Sequence, residues 1–251
     1  MNLGPGEWMV LMMGSLLIGL GKGGLVGVGN LTVVLFAMVF EAKASVGILL
    51  PILISADVVA VTVYRRHVAW SYLWKLMPWM TVGIFIGYLA FGYLSDVGVR
   101  RFIGGIVLGM TAFQVLRVWA ISRGKADFAE KVPHSLGFRS SLGLTGGFVS
   151  MVANAAGPIG QLYLISVGLP KLAFIGTAAW CFFMVNLIKF PLQVELGIIH
   201  FNSLQLSLVL IPVAMLGALV APRIVHYIPQ RIFSIAVWVV IFFTGLRLLL
   251  A

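Results

Sequence analysis

Apolar runs of about seven to twenty-three residues alternate along this chain with short polar or glycine-rich interruptions, and that alternation predicts its elements. Ten hydrophobic segments are expected, at about Trp8–Leu20, Leu31–Phe40, Ala44–Tyr64, Leu73–Leu94, Phe102–Ile121, Leu142–Val152, Gln161–Val167, Leu172–Val194, Leu204–Val220 and Phe233–Leu250. The third, fourth, fifth, eighth, ninth and tenth are long enough to cross about 30 Å of hydrocarbon as helices. The first, second, sixth and seventh are mostly short. They are either half-helices in re-entrant hairpins or helices that continue through a break.

Two interruptions stand apart from ordinary loops. The first is Gly19-Leu20-Gly21-Lys22-Gly23-Gly24-Leu25-Val26-Gly27-Val28-Gly29-Asn30, and the second is Ala153-Asn154-Ala155-Ala156-Gly157-Pro158-Ile159-Gly160. Glycine weakens a helix interior by about 0.5–1 kcal/mol relative to alanine. Broken backbone at membrane depth is tolerated only where protein or a water-filled cavity covers it. Both stretches are therefore expected to break a membrane helix beside a site.

The order of landmarks repeats. Gly29-Asn30 precedes Lys43 as Gly157-Pro158 precedes Lys171, and Pro78 and Gly83 have the spacing of Pro212 and Gly217. A duplication is expected, with a first membrane repeat over 1–121, a polar linker over 122–137 and a second repeat over 138–251. Basic residues cluster at Arg65-Arg66-His67, around the linker (Arg117, Arg123, Lys125, Lys131, Arg139) and at Arg223 and Arg231, whereas Glu195–Ser203 has no lysine or arginine. Placing the basic loops in the cytoplasm puts both termini outside and inverts the halves, with Arg100 and Arg101 on the wrong side. The expected fold is an all-α polytopic integral membrane protein of two inverted repeats, about five segments each.

Composition agrees. The chain is 61% hydrophobic and 10% charged, with a mean hydropathy of +1.09, where a soluble domain averages about 25% charged. The net charge of +10 is scattered through loops without a basic aromatic face, so it reads as a topology signal and not as a nucleic-acid footprint. No cleaved signal peptide is expected, since the start lacks a basic region and a small-residue cleavage motif. Cys181 is the only cysteine, which excludes an internal disulfide. The histidines are dispersed, and no metal or cofactor is expected. No catalytic signature is present, so the chain is not expected to be an enzyme.

A few polar residues at depth carry the candidate chemistry. Lys22 sits among glycines, where free N–H groups of Gly23 and Gly24 and a helix N-terminus beyond Gly29 would complete an anion site. The competing reading is a lysine reaching for an interface. Asn30 is an adjacent polar candidate. Asn154, Gly157 and Pro158 hold the matching place in the second half, either as a site or as a kink patched by the asparagine. Asp57 lies about 10 Å inside the third segment. It is either a proton-coupling carboxylate or a structural partner for Lys22, Lys189 or a backbone amide. Asn186 and Lys189 share a helix face, to which Thr177 would add a polar stripe, although Lys189 could instead reach outward beside Pro191.

At the breaks the sequence resembles the TauE/SafE sulfite exporter family. Ile18-Gly19-Leu20-Gly21-Lys22-Gly23-Gly24 with Gly27-Val28-Gly29, and Ala44–Asp57 followed by Tyr64-Arg65-Arg66-His67, carry the likeness in the first half. Val152–Pro158, Gly168-Leu169-Pro170-Lys171, Phe174–Trp180, and Asn186–Pro191 with Leu196-Gly197 carry it in the second. The resemblance implies a prokaryotic inner-membrane transporter of small sulfur-containing anions such as sulfite, organosulfonates or thiosulfate. An anion channel is the alternative. The expected partners are the small anion and the lipid bilayer.

Overall fold

A computed structural model describes residues 3–25, 29–122 and 136–224. The described residues form helices and no strands. They are α1 (Pro5–Lys22), α2 (Gly29–Val39), α3 (Ala42–Tyr64), α4 (Trp70–Tyr93), α5 (Asp96–Ser122), α6 (Leu136–Ala153), α7 (Gly157–Ser166), α8 (Lys171–Glu195) and α9 (Phe201–Ile224). By length and composition α3, α4, α8 and α9 can each cross a membrane. The tenth expected segment and Arg231 lie outside the described residues.

Both expected breaks are present, with ends that differ from the sequence reading. Pro5 opens α1 at the first helical position, where its missing N–H costs nothing, and the Glu7 carboxylate accepts the Gly4 N–H at 2.8 Å. The helix continues through Lys22, so the lysine belongs to the last turn of α1 and not to the break. Gly19 and Gly21 are helical. The chain leaves the helix at Gly24, whose φ of 125° is open only to glycine. The second break is Asn154-Ala155-Ala156, with Asn154 in the left-handed region at φ 52°. Gly157 and Pro158 start α7, where proline is tolerated.

Two other ends moved. Ser95–Arg101 was expected as a loop, yet α5 starts at Asp96. Ser95 Oγ accepts the Gly98 N–H at 3.0 Å, so Ser95-Asp96 is a helix start with a hydroxyl cap and an acidic first turn. α6 starts at Leu136, six residues before the apolar run; within it Ser140 and Thr145 turn their hydroxyls onto the carbonyls of Gly137 and Ser141. Leu136 and Gly137, expected in the linker, are therefore helical.

Glycines set how closely the helices approach. A Cβ on Gly19 would collide with the backbone of Ala214 and Gly217 on α9, and a Cβ on Gly217 would lie 2.6 Å from the Leu16 carbonyl. α6 meets α4 in the same manner: Gly147 abuts the Met80 carbonyl, and Gly83 abuts the Leu144 carbonyl. Small residues permit such backbone contact where lipid supplies no hydrophobic drive between helices. α3 is the central element. It runs antiparallel to α8, with Tyr64 and His67 carbonyls against Gly176 at one end and Gly47 against Ile198 at the other. Its side chains from Val46 through Leu53, together with Ala56, are buried, and Val34 and Phe36 of α2 and Leu210 and Ala214 of α9 pack in the same core.

Candidate functional site

The end of α1, the middle of α3, the second break and one face of α8 meet around a cavity of about 110 Å³. Lys22, Gly24, Ser150, Asn154, Gly157, Phe182, Asn186 and Lys189 stand on its wall. Asp57 is buried behind that wall. Lys22 Nζ is 2.6 Å from Asp57 Oδ1, and Asn186 Nδ2 donates to Asp57 Oδ2 at 2.6 Å. Oδ2 thus has a hydrogen-bond donor and Oδ1 an ammonium charge beside it, which offsets the cost of a carboxylate this deep. Lys22 also lies over the Phe182 ring, 4.7 Å from its centre, so an aromatic face shares its charge.

The second lysine is held differently. Lys189 Nζ donates to Asn154 Oδ1 at 2.6 Å and to the Ser150 carbonyl at 3.1 Å. The Asn154 amide in turn donates to the Val46 carbonyl at 2.8 Å. One asparagine in an unfavoured backbone conformation thereby ties α6, α8 and α3 together. Gly157 brings the start of α7, the positive end of its helix dipole, to the same wall.

The cavity is asymmetric along its length. Gly24, Phe174, Ile175 and Ala178 at one end are half-buried, whereas Leu53, Ser150, Asn186 and Lys189 at the other are buried. The half-buried end is that of Tyr64, whose hydroxyl donates to the Gly23 carbonyl at 2.9 Å, and so of the Arg65-Arg66-His67 loop. By the burial of its α8 wall, that end is the more open one.

Of the residues singled out from the sequence, Lys22, Gly24, Asn154, Gly157, Asn186 and Lys189 meet at the cavity, with Asp57 between the first lysine and Asn186. Gly23 turns toward Ala221 of α9 instead. Gly29 starts α2. The side chains of Asn30 and Pro158 lie outside the described residues. Thr177 does not join a stripe with Asn186. Nine residues at 100° each put it half a turn away, and its buried hydroxyl accepts the Ala69 N–H at 2.9 Å. Lys189 does not reach outward. Ser150, Phe182 and Gln193 were not singled out from the sequence, although Gln193 stands seven residues after Asn186 and so on its face.

No group of three or more metal-ligating side chains occurs among the described residues. The site offers cationic and amide donors around a small space, with a carboxylate that competes for one cation. That is equipment for holding a small oxyanion. No curated protein and no solved structure matches the chain. The sequence model of a family described as sulfite exporter TauE/SafE matches residues 11–248, nearly the whole length. The chain therefore belongs to the TauE/SafE sulfite exporter family, and is a multi-pass membrane transporter of sulfur-containing anions, not an enzyme.

Proposed function

We propose that the cavity between Lys22 and Lys189 binds sulfite or a closely related small sulfur oxyanion, and that the protein carries it across a prokaryotic inner membrane by alternating access between two inverted halves. The observation that carries this reading is the charge arrangement: two lysines and two asparagines face one space in which, among the described residues, Asp57 is the only carboxylate at hand. With both lysines protonated the site has one positive charge in excess. Its volume, that of several water molecules, suits a three-oxygen anion better than an extended solute.

The helix pattern supports inverted halves. Helices of 18, 11, 23, 24 and 27 residues are followed by helices of 18, 10, 25 and 24. Gly147 stands 128 residues after Gly19, and Gly217 stands 134 after Gly83. The tight contacts exchange accordingly: α1 of the first half packs on α9 of the second, and α6 packs on α4. Buried Asn186 and Lys189 close the deep end, which supports a carrier over a continuous channel.

Asp57 fits the role of coupling group. A bound anion has to share Lys22 with the carboxylate, and protonation of Asp57 frees the lysine for it. Export of each negative charge gains about 2.3 kcal/mol per 100 mV of inside-negative potential, so efflux needs no further drive.

The test uses purified protein in liposomes loaded with unlabelled sulfite. External radiolabelled sulfite should accumulate transiently against its gradient by counterflow. A conductance without counterflow would make the protein a channel, and loss of both for sulfite, thiosulfate and organosulfonates would overturn the site. Reporters inserted at residue 127 and at the C-terminus should signal from opposite faces of the membrane; signals from one face would defeat the inverted arrangement.

A further inference from the structure

α8 carries one more buried polar residue on the face that lines the cavity. Asn186, Lys189 and Gln193 are spaced three and then four residues apart and so stand in one row. Gln193 is 0% exposed. Neither its amide nitrogen nor its amide oxygen has a hydrogen-bond partner among the described residues. Buried side-chain amides almost always find partners, because leaving them unmet costs their full desolvation. Its two neighbours in the row are satisfied; Gln193 is not. An aliphatic residue would pack the same space without that cost.

Its position suggests what it waits for. Gln193 lies beyond Lys189, on the far side from the half-buried mouth. That side is shut where the start of α3 meets the turn between α8 and α9: a Cβ on Gly47 would be 2.6 Å from both the carbonyl oxygen and Cγ2 of Ile198. Both helices contain a proline near this contact, Pro51 in α3 and Pro191 in α8. Neither proline can donate to the carbonyl four residues earlier, at Gly47 and Leu187, so each marks a place where its helix can bend.

We propose that Gln193 is a substrate ligand of the opposite access state. When the start of α3 and the Ile198 turn separate, its amide N–H groups receive the sulfur oxyanion from Lys189 and form the last station before the far face. A neutral amide holds an anion less tightly than an ammonium group, which suits release. This inference rests on the reading of the cavity as the sulfite site.

The experiment compares full-length wild type, Gln193→Leu and Lys22→Ala in proteoliposomes. Gln193→Leu should cut the maximal rate of sulfite counterflow at least tenfold. Equilibrium binding of sulfite to the detergent-purified protein should change less than twofold, and the melting temperature should stay level or rise. A higher melting temperature with wild-type counterflow would make Gln193 a packing residue and overturn the proposal. Lost counterflow from Lys22→Ala beside intact counterflow from Gln193→Leu removes this inference alone, whereas intact counterflow from both removes the cavity reading as well. A measurement that does not depend on Leu being tolerated uses Gln193→Cys with Cys181→Ala, which leaves one cysteine. A membrane-impermeant maleimide should label it from the side opposite the Arg65-Arg66-His67 loop. Protection from that side under transport conditions would overturn the proposal.

Discussion

The two lysines of the cavity make opposite bargains with the membrane. Lys22 leaves the last turn of α1, is 17% exposed, and pairs with a carboxylate. Lys189 rises from the interior of α8, is fully buried, and among the described residues has neutral hydrogen-bond partners, an amide oxygen and a backbone carbonyl. A lysine at this depth costs a few kcal/mol unless paired or hydrated. Lys22 meets the requirement with Asp57, a ring face and the cavity mouth. Lys189 meets it with the helix break itself, because Asn154 reaches it only by ending α6 in a left-handed turn. The comparison separates an exchangeable cation from a fixed one. An anion entering from the mouth can take Lys22 from Asp57, while Lys189 stays locked until the second break moves.

The largest effect expected from breaking this pair is on Lys22. Lys22→Ala should lower sulfite transport at least about 100-fold, the scale of about 3 kcal/mol lost from a charge-assisted contact. It also strands Asp57, and removing one partner of a buried ion pair typically costs about 3–5 kcal/mol. Lys22→Ala with Asp57→Asn should restore the melting temperature without restoring transport. If the double variant transports, Lys22 serves only to neutralise Asp57. Asp57→Asn alone should flatten the pH dependence of the rate, and an unchanged profile would leave the carboxylate a purely structural partner.

On the Lys189 side the expected effect is smaller and separable. A non-glycine residue in the left-handed region costs about 1–2 kcal/mol, which asparagine tolerates better than most. Asn154→Ala and Asn154→Gly both remove the bonds to Lys189 and Val46, but only alanine keeps the backbone penalty. Both variants should slow transport about tenfold. Thermal unfolding should show Asn154→Ala less stable than Asn154→Gly by about 1 kcal/mol. Equal stability would mean that Asn154 acts through its side chain alone.

Periodicity and glycine breakers made the helices readable from sequence, because membrane helices must be long, apolar and internally hydrogen-bonded. Helix ends were less readable where a polar cap opens an apolar run, as at Ser95-Asp96, since polar residues there look like loop. The same holds for the site. Lys22, Asp57, Asn154, Asn186 and Lys189 stand out as polar groups in apolar surroundings, and Lys22 is legible as one possible partner of Asp57; the Asn186–Asp57 contact depends on α3 and α8 running antiparallel, which spacing along one helix does not reveal. Thr177 was drawn in by proximity in sequence, where the helical angle points it elsewhere. Gln193 is the least legible of the set, since it stands near the end of its segment, where a glutamine usually meets water.

Thr177 provides the smallest effect and the sharpest check on where the site ends. Its hydroxyl accepts the Ala69 N–H just before α4, so it fastens the start of α8 to the loop that carries Arg65, Arg66 and His67. Thr177→Val keeps the shape and removes the acceptor, leaving a half-buried N–H without its partner. The expected cost is about 1 kcal/mol, read as a lower melting temperature that Thr177→Ser largely recovers. Sulfite counterflow should stay within twofold of wild type, because the residue faces away from Asn186 and Lys189. A loss of transport at unchanged stability would extend the site to this face of α8. It would mean that the mouth, and not only the cavity wall, selects the anion.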